Sequence, residues 1–378
     1  MLFPTQIVGS YHKPKWLCNH DLVYTPEGTW WKVSKEDFPF AADDATRLAI
    51  EDQNRAGLTF ITDGEQRRQT FSGYFYALGG IDSENRGAMT FAANDIGGAI
   101  TMKPRLQVST DIPLPPPTIP KVVSAVTWEK PILADDLAFL KKYARGKTKM
   151  TVIGACSLAL RVVDEHYGSL DKLSFGIADA LNKELHFLEK AGVDLIQIDE
   201  PEVHFRYSQL ESFAQEAINR TIRGLKMTTA VHVCFGYSKN IAEKRTNPIY
   251  ENALELLAST DIDEISLEYE QPNYSPELLT HLGDKAVILG LLNLDTEAEI
   301  ESVEHIVSRA KEALQVVPKE KLRLASDCGM WFLPREKAFG KIANLEKAAQ
   351  ILRQSLEFTL QRAPASEARR ADKLKFGL

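Results

Sequence analysis

The sequence lacks two features that would each point to a class of partner. Positive charge is not in excess, because 45 lysines and arginines face 52 aspartates and glutamates, for a formal net charge of −7. Nucleic-acid-binding proteins carry basic patches, so this balance favours a small-molecule substrate. Long apolar runs are also missing, since the longest, 286–294, is about half of a membrane span. We expect neither a nucleic-acid nor a membrane partner.

Cysteines are few, and no targeting signal is visible. The 378 residues include only four cysteines, Cys18, Cys156, Cys234 and Cys328. Residues 1–8 have neither a charged segment before a continuous apolar core nor a cleavage site. We therefore predict a cytoplasmic protein without a disulfide framework, whose cysteines are either buried or bind metal.

Short apolar runs alternate with amphipathic helical patterns along the chain. Eight runs end in small or polar residues: 6–10, 59–63, 151–154, 194–199, 230–234, 264–268, 286–290 and 322–328. Helical patterns lie between them, such as 44–56, beginning at a capping aspartate, and 177–191, each followed by glycine. Eight repeats of strand and helix predict an α/β fold, a single (β/α)8 TIM barrel, with a doubly wound open sheet as the alternative.

The interval between the second and third predicted strands is long. Its roughly 85 residues include a glycine-rich segment, 79–98, and a stiff proline-rich run, 112–120. Because periodic apolar residues are too few there for a separate core, we predict one domain over 1–378 with an insert at about 71–145 covering one end of the barrel. A last helix is expected at 335–362, before a charged tail that frays.

Reactive side chains fall at the ends of the predicted strands. His232 and Cys234 are two positions apart at the end of the fifth strand, so they point to the same face. Glu268 ends the sixth strand and Cys328 the eighth. Strand ends converge in a barrel, so an imidazole, a carboxylate and two thiolates meet in a set suited to tetrahedral zinc. With the carboxylate displaced, such a site accepts a thiol as thiolate and promotes alkyl transfer to sulfur.

Carboxylates collect at two other strand ends. Asp63 and Glu65 follow the second strand, and Asp199 and Glu200 follow the fourth. Helix capping is one explanation, and for Asp63 and Glu200 the pattern favours capping and a functional role about equally. The other is binding of a substrate ammonium group, for which Glu65 and Asp199 are the candidates.

Hydrogen-bond donors for an anion occur nearby. Gly9 and Ser10 end the first strand and offer a backbone N–H and a hydroxyl to a substrate carboxylate. Arg67 and Arg68 either bind an anionic tail or lie at the surface. An isolated histidine or cysteine on a strand is usually an ordinary core residue, so the combination is what favours zinc.

Taken together, these stretches resemble one known family. The matching segments, in family order, are 8–10, 63–65, 196–201, 232–234, 265–268 and 327–329. The chain is similar to the catalytic barrel of cobalamin-independent methionine synthase and its single-barrel relatives, which include epoxyalkane:coenzyme M transferase. The resemblance implies zinc ligation by His232, Cys234, Glu268 and Cys328. It also implies homocysteine binding by Ser10, Glu65 and Asp199, with methyl transfer from 5-methyltetrahydrofolate or its polyglutamate to the zinc-bound thiolate.

Three departures from the family pattern leave the methyl donor open. The full-length synthase has two barrels, and this chain matches one. After the seventh strand, segment 290–296 lacks the histidine proposed to protonate the folate leaving group and has Asp295 instead. A carboxylic acid takes that role only if its pKa is raised. The acidic position expected after the Asp-Glu-Pro turn is not evident in 202–206.

The sequence thus predicts a zinc-dependent thiol methyltransferase that forms methionine. The alternatives are epoxyalkane:coenzyme M transfer, methyl transfer from a corrinoid protein, and a non-catalytic structural zinc-binding barrel whose closed four-ligand site admits no thiol. Carboxylates beside the thiol substrate favour homocysteine, which carries an ammonium group. Arginine or lysine in their place would favour coenzyme M, which carries a sulfonate.

Overall fold

Ten strands form two sheets in the computed structural model, which describes residues 1–20, 30–69, 72–88, 118–235 and 250–362. In chain order they are β1 (Phe60–Ile61), β2 (Gly79–Ala88), β3 (Thr118–Thr127), β4 (Lys147–Ile153), β5 (Val163–Asp164), β6 (Leu195–Asp199), β7 (Thr228–Val233), β8 (Glu264–Leu267), β9 (Ala286–Gly290) and β10 (Leu322–Ala325). Seven of them form a parallel sheet in the order β1-β4-β6-β7-β8-β9-β10. This order follows the chain without reversal, so the doubly wound alternative, which needs a reversal point, is wrong.

The first predicted strand joins the two edges of this sheet. Thr5 forms a parallel bridge with Leu324 of β10, and Gln6 donates its N–H to the Leu324 carbonyl at 3.1 Å. On the other side, the Thr5 carbonyl accepts the N–H of Phe60 in β1 at 3.0 Å. The segment is therefore the eighth member of a closed ring, and the predicted (β/α)8 TIM barrel is confirmed.

Helices follow the strands of the barrel and cover its outer face. Those in the described ranges are Phe38–Ala56, Ala134–Tyr143, Ala155–Ala159, Leu170–Lys190, Pro201–Phe205, Tyr207–Leu210, Ala214–Ile222, Tyr250–Ala258, Val303–Ala313 and Arg335–Arg362. Short 3-10 turns occur at Gly73–Ala77, Pro276–Leu282 and Lys319–Lys321. None of the helices described here combines the length and hydrophobicity needed to cross a bilayer.

Helix ends were predicted better than helix starts. The first helix begins at Phe38 rather than Asp44, because Pro39 is preorganised for the first helical turn. Asp44 therefore pairs with Arg47 inside the helix and does not cap it. Gly57 ends this helix with a φ of 81°, a left-handed conformation that glycine adopts at little cost. The predicted bounds of the last helix are confirmed.

The long interval between β1 and β4 contributes two of the three strands of a small second sheet. β2 and β3 pair antiparallel, and β3 pairs parallel with β5. The sequence did not reveal these strands because glycines and charged residues interrupt their apolar pattern. The predicted glycine-rich segment is described only to residue 88 and the proline-rich run only from residue 118, and the charged tail lies outside the described residues. Coverage of one end of a single domain by an insert at about 71–145 stays a prediction.

The barrel interior contains a buried cation below the strand ends. Lys149 of β4 is fully buried and donates to the Gln6 side-chain oxygen and the Ile7 carbonyl, both at 2.8 Å. Burial lowers the pKa of Lys149 to about 7, although Asp199 raises it in turn. The interior is thus polar immediately beneath the residues predicted to form the site.

Candidate functional site

Three of the four predicted metal ligands lie together. His232 belongs to β7, Cys234 follows that strand, and Cys328 follows β10. One donor atom from each lies within 4.8 Å of the other two, and all three side chains are buried. We call these three residues the metal group. Zinc bonds to nitrogen and sulfur are about 2.0–2.3 Å long, so donors at these separations fit around one ion.

The His232 ring is oriented by its neighbour on the next strand. His232 and Ser266 are register partners in β7 and β8, and Nδ1 lies 3.0 Å from the Ser266 hydroxyl oxygen. The other nitrogen, Nε2, is buried and has no hydrogen-bond partner among the described residues. A buried nitrogen left open beside two sulfurs is the arrangement that a zinc ligand requires, so these residues fit zinc. Burial alone would lower the pKa of His232. The combined effect of Cys234 and the nearby carboxylates is larger, so the pKa of His232 is raised overall.

The fourth predicted ligand, Glu268, is a neighbour of this group and not a member of it. Its side chain is fully buried, and its carboxylate accepts the N–H of Phe235 at 3.0 Å. Phe235 directly follows Cys234, so this hydrogen bond holds the carboxylate next to the two ligands of β7. A carboxylate placed beside the donor set is compatible with an exchangeable position.

Two side chains fix the loop that carries Cys328. Ser326 donates its hydroxyl to the Cys328 carbonyl at 2.8 Å and accepts the N–H of Val8 at 3.1 Å. The Asp327 carboxylate accepts three backbone N–H groups from the loop after β8, those of Tyr269, Glu270 and Gln271. The loops after β8 and β10 therefore hold each other in place around the metal group.

Hydrogen bonds to both its side chain and its backbone fix Glu65 at the end of the barrel where the strands have their carboxyl ends. Its carboxylate accepts the Thr151 hydroxyl at 2.7 Å, and its N–H donates to Asp63 at 2.9 Å. Glu65 has a φ of 54°, an uncommon left-handed conformation for a residue other than glycine. A Cβ at position 9 would lie 2.4 Å from a Glu65 carboxylate oxygen, so Gly9 is needed for this close approach.

Asp199 lies between Glu65 and the metal group. It pairs in register with His232 across β6 and β7 and accepts a hydrogen bond from Gln197 at 2.7 Å. Burial raises the pKa of Asp199 to about 7. The negative charge of Glu65 also raises this pKa, whereas the neighbouring His232 lowers it. The Glu65 carboxylate therefore lies close enough to Asp199 to act on it electrostatically, and binding of a substrate ammonium group by this pair stays a prediction.

The other predicted polar residues have different surroundings. Ser10 is buried, and its carbonyl accepts the N–H of Met330, two residues after Cys328. Asp295 accepts the N–H of Glu297 at 2.9 Å in a local turn and is not a member of the metal group. An acid role for Asp295 stays a prediction.

Neither arginine is a free surface cation. Arg68 is buried, donates to the Thr151 carbonyl and hydroxyl at 3.0 Å, and lies 3.8 Å from Asp63 and 3.9 Å from Glu65. Arg67 pairs with Asp43 and, at 3.4 Å, with Asp136. Both guanidinium groups therefore neutralise carboxylates of the chain itself.

Glu200 turns out to cap a helix other than its own. Its carboxylate accepts the N–H groups of Cys156 and Ser157 and the Ser157 hydroxyl at 2.7–3.0 Å, at the start of helix Ala155–Ala159. Burial raises the pKa of Glu200 to about 7. Capping of the helix after its own strand is therefore wrong for Glu200, because its side chain forms no cap there and binds instead the start of the helix that follows β4.

The residues that orient the site could not all be recognised from the sequence. Ser266 lies two positions before Glu268, so strand alternation alone would have placed it on the inner face. Asp327 directly precedes Cys328, but no local pattern indicates that it binds the loop after β8. The role of Ser326 likewise depends on the contact between the two ends of the chain.

The fold and the site define a class of protein, a (β/α)8 barrel with one histidine and two cysteines buried at the strand ends beside two carboxylates. A match to the family described as Cobalamin-independent synthase, Catalytic domain spans residues 119–351. The chain therefore belongs to the cobalamin-independent methionine synthase family, as the resemblance predicted.

Individual relatives match over nearly the whole chain. The methionine synthase of Sulfurisphaera tokodaii is 29% identical, covering 94% of both chains. That of Saccharolobus solfataricus is 28% identical, covering 94% of this chain and 96% of its own. A B12-independent methionine synthase from Shewanella sp. W3-18-1, solved in complex with selenomethionine, is 32% identical, covers 94% of this chain and 99% of its own, and superposes with a TM-score of 0.79.

Proposed function

We propose that the protein is a zinc-dependent methyltransferase that forms methionine by moving a methyl group to the sulfur of homocysteine. The observation that carries this proposal is the buried group of His232, Cys234 and Cys328 next to the carboxylates Glu65 and Asp199. Family membership supports it, as does the relative solved with selenomethionine, the selenium analogue of the product.

We assign the metal to four side chains. His232, Cys234 and Cys328 would hold zinc, and Glu268 would complete the set when no thiol is bound. Zinc bound there would lower the pKa of an incoming thiol and keep it as a nucleophilic thiolate near neutral pH. The hydrogen bond from Phe235 to Glu268 gives the carboxylate an alternative partner when the substrate sulfur arrives.

The amino-acid part of homocysteine would bind at the neighbouring strand ends. Glu65 and Asp199 would bind its ammonium group, and the nearby positive charge would favour the ionised form of Asp199. Thr151 orients Glu65 through its hydroxyl, and Gln197 orients Asp199 through its amide. Ser10, at the end of the first strand, would donate to the substrate carboxylate.

The methyl donor in this proposal is 5-methyltetrahydrofolate or its polyglutamate. The sulfur–carbon bond forms as the nitrogen–carbon bond of the donor breaks, and the released nitrogen takes up a proton. We propose Asp295 as the source of that proton, because it stands where the family's histidine is missing. Breaking the hydrogen bond from the Glu297 N–H would free the Asp295 carboxyl group for this role.

Three alternatives have less support from the geometry of the described residues. Coenzyme M would need a cation for its sulfonate, whereas Arg67 and Arg68 are paired with carboxylates of the chain. A structural zinc site would need four ligands closed around the ion, whereas Glu268 is not a member of the three-residue group. A corrinoid protein as methyl donor is supported by no surface feature within the described ranges.

Calorimetry on the zinc-loaded protein tests the acceptor. Homocysteine and coenzyme M are titrated separately, and proton release is obtained from buffers of different ionisation enthalpy. Preferential binding of homocysteine with about one proton released is the expected result. Preferential binding of coenzyme M would replace the proposal with epoxide chemistry, and binding of neither thiol would favour a structural metal site.

A transfer assay then tests the donor. The zinc-loaded protein is incubated with homocysteine and either 5-methyltetrahydrofolate triglutamate or methylcobalamin, and methionine is quantified. Methionine formed only with the folate supports the proposed donor, and formation only with methylcobalamin overturns it. Asp295→Asn should slow folate-dependent turnover, whereas unchanged turnover would remove Asp295 from the mechanism.

A further inference from the structure

One buried ammonium group near the site has no role in the chemistry proposed so far. Lys13 is 1% exposed, and no carboxylate forms an ion pair with it among the described residues. Its ammonium donates to three backbone carbonyls, those of Glu65, Gln66 and Arg68. It also lies 5.7 Å from the ring centroids of Trp30, Trp31 and Trp331.

These three carbonyls belong to one turn, which is the turn that presents Glu65. The N–H of Glu65 is fixed by Asp63, its carboxylate by Thr151, and its carbonyl by Lys13. A non-glycine residue with a φ of 54° persists only where its surroundings hold it there. The Lys13 ammonium holds the carbonyl side of this turn together with the Arg68 N–H, which donates to the same Glu65 carbonyl at 3.2 Å.

The backbone of Lys13 is bonded to the loop that carries Cys328. Its N–H donates to the Trp331 carbonyl at 3.1 Å, three residues after Cys328. In the same segment, the Ser10 carbonyl accepts the N–H of Met330 at 2.9 Å, and the N–H of Tyr11 donates to the Gly64 carbonyl at 3.1 Å. The segment around Lys13 therefore joins the Glu65 turn to the loop that carries a predicted metal ligand.

We propose that Lys13 is a positioning residue that holds the Glu65 turn in its left-handed conformation, and that it thereby sets the affinity for the ammonium group of the amino-acid substrate. This inference rests on the proposed function of Glu65. A buried ammonium without a carboxylate is costly, and carbonyl oxygens and tryptophan faces are the groups that offset the cost here. Lys13 acts through Glu65 and does not itself contact the reacting atoms.

The test compares methionine binding by variants of the full-length, zinc-loaded protein. Lys13→Met keeps the apolar stem among the tryptophans and removes the charge and its donors. Its dissociation constant for methionine should rise by roughly tenfold or more, with zinc content and kcat close to wild type. Lys13→Arg, which retains charge and donors, should recover most of the affinity. Lys285→Met is the matched control, since Lys285 donates to the Thr260 carbonyl at the opposite end of the barrel.

A double-mutant cycle separates positioning from general loss of structure. If Lys13 acts through Glu65, Lys13→Met should cause little further loss of methionine affinity in a Glu65→Gln background. Additive losses would overturn the inference, and so would an affinity of Lys13→Met within about twofold of wild type. If Lys13→Met is insoluble, Lys13→Gln enters the same cycle. A wild-type protein that binds no methionine would overturn the proposed function together with this inference, whereas normal wild-type binding with an unaffected variant overturns the inference alone.

Discussion

Cys328 is the residue on which the metal assignment depends most directly, because it comes from a different strand end than His232 and Cys234. Replacing it with serine exchanges a soft thiolate for a hydroxyl that zinc binds poorly. Cys328→Ser should therefore lose zinc and methyl-transfer activity together. Atomic absorption after dialysis and the methionine assay measure the two losses. Cys156→Ala is the control, since Cys156 is buried away from this group, and a serine variant that keeps its full zinc content would refute the assignment.

Lys149 makes the stability of the protein depend on pH in a defined direction. Its pKa is about 7 in the folded protein, well below the ordinary value, so between these two values the unfolded chain binds a proton that the folded chain does not. The free energy of unfolding therefore rises with pH above 7 because of Lys149, by up to roughly 1.4 kcal/mol per pH unit. This gain is lost again as pH falls back to 7.

Lys149→Met should remove that dependence. The difference in unfolding free energy, wild type minus variant, should grow between pH 7 and pH 9 in urea titrations. Lys147→Met is the control, because Lys147 lies two residues earlier in the same strand and is exposed. A difference that stays constant with pH would mean that Lys149 is charged in the folded protein.

The residues that could be predicted from the sequence are those whose position depends on strand alternation alone. His232 and Cys234 share a face because they are two positions apart, and their nearness to Cys328 follows once strand ends converge. The role of Lys13 could not be predicted in this way. It depends on three carbonyls and three tryptophan rings brought together by distant parts of the chain.

At the scale of elements, the site is built from loops that hold one another. Asp327, after β10, accepts three N–H groups from the loop after β8. In Asp327→Asn, the amide N–H₂ group would face at least one of these N–H donors and could not accept its hydrogen bond. We expect this variant to bind zinc roughly 10–100-fold more weakly, as when other residues that orient metal ligands are changed. Competition with a chromophoric chelator measures the affinity. Asp284→Asn is the control, because Asp284 is fully exposed before β9, and equal affinities would show that the loop contact is dispensable.

Barrel strands and the sheet of the insert differ in how far the sequence reveals them. β6 and β7 are buried along nearly their whole length, so they appear as short runs rich in apolar and β-branched residues between turn residues. β2 contains Gly79, Gly80 and a charged stretch, and it pairs with β3 through two shifts of register. Its pairing partner, not its composition, determines that it is a strand.

At the scale of the whole molecule, the barrel depends on contacts between the two ends of the chain. The first strand segment has only one bridged residue, Thr5, and the last helix, Arg335–Arg362, packs against it. Arg353 of this helix donates to the carbonyls of Leu2 and Phe3 at 2.9 and 2.8 Å and pairs with Glu346 at 2.8 Å. The strand order and a closed barrel could be predicted from the eight repeats, but the contacts of Arg353 could not, because they join residues 350 positions apart.

Arg353→Ala should therefore weaken the closed barrel as a whole. It leaves the carbonyls of Leu2 and Phe3 without this donor and removes the cation paired with the buried carboxylate of Glu346, which keeps hydrogen bonds from Thr5 and Gln350, at a cost of about 2–4 kcal/mol in unfolding free energy. Arg145→Ala is the matched control, since the pair of Arg145 with Glu51 is exposed and should contribute less than about 1 kcal/mol. Urea titrations of both variants measure the two costs. Equal losses would mean that Arg353 is only a surface residue and that the N-terminal segment stays in the barrel through its hydrogen bonds to β1 and β10 alone.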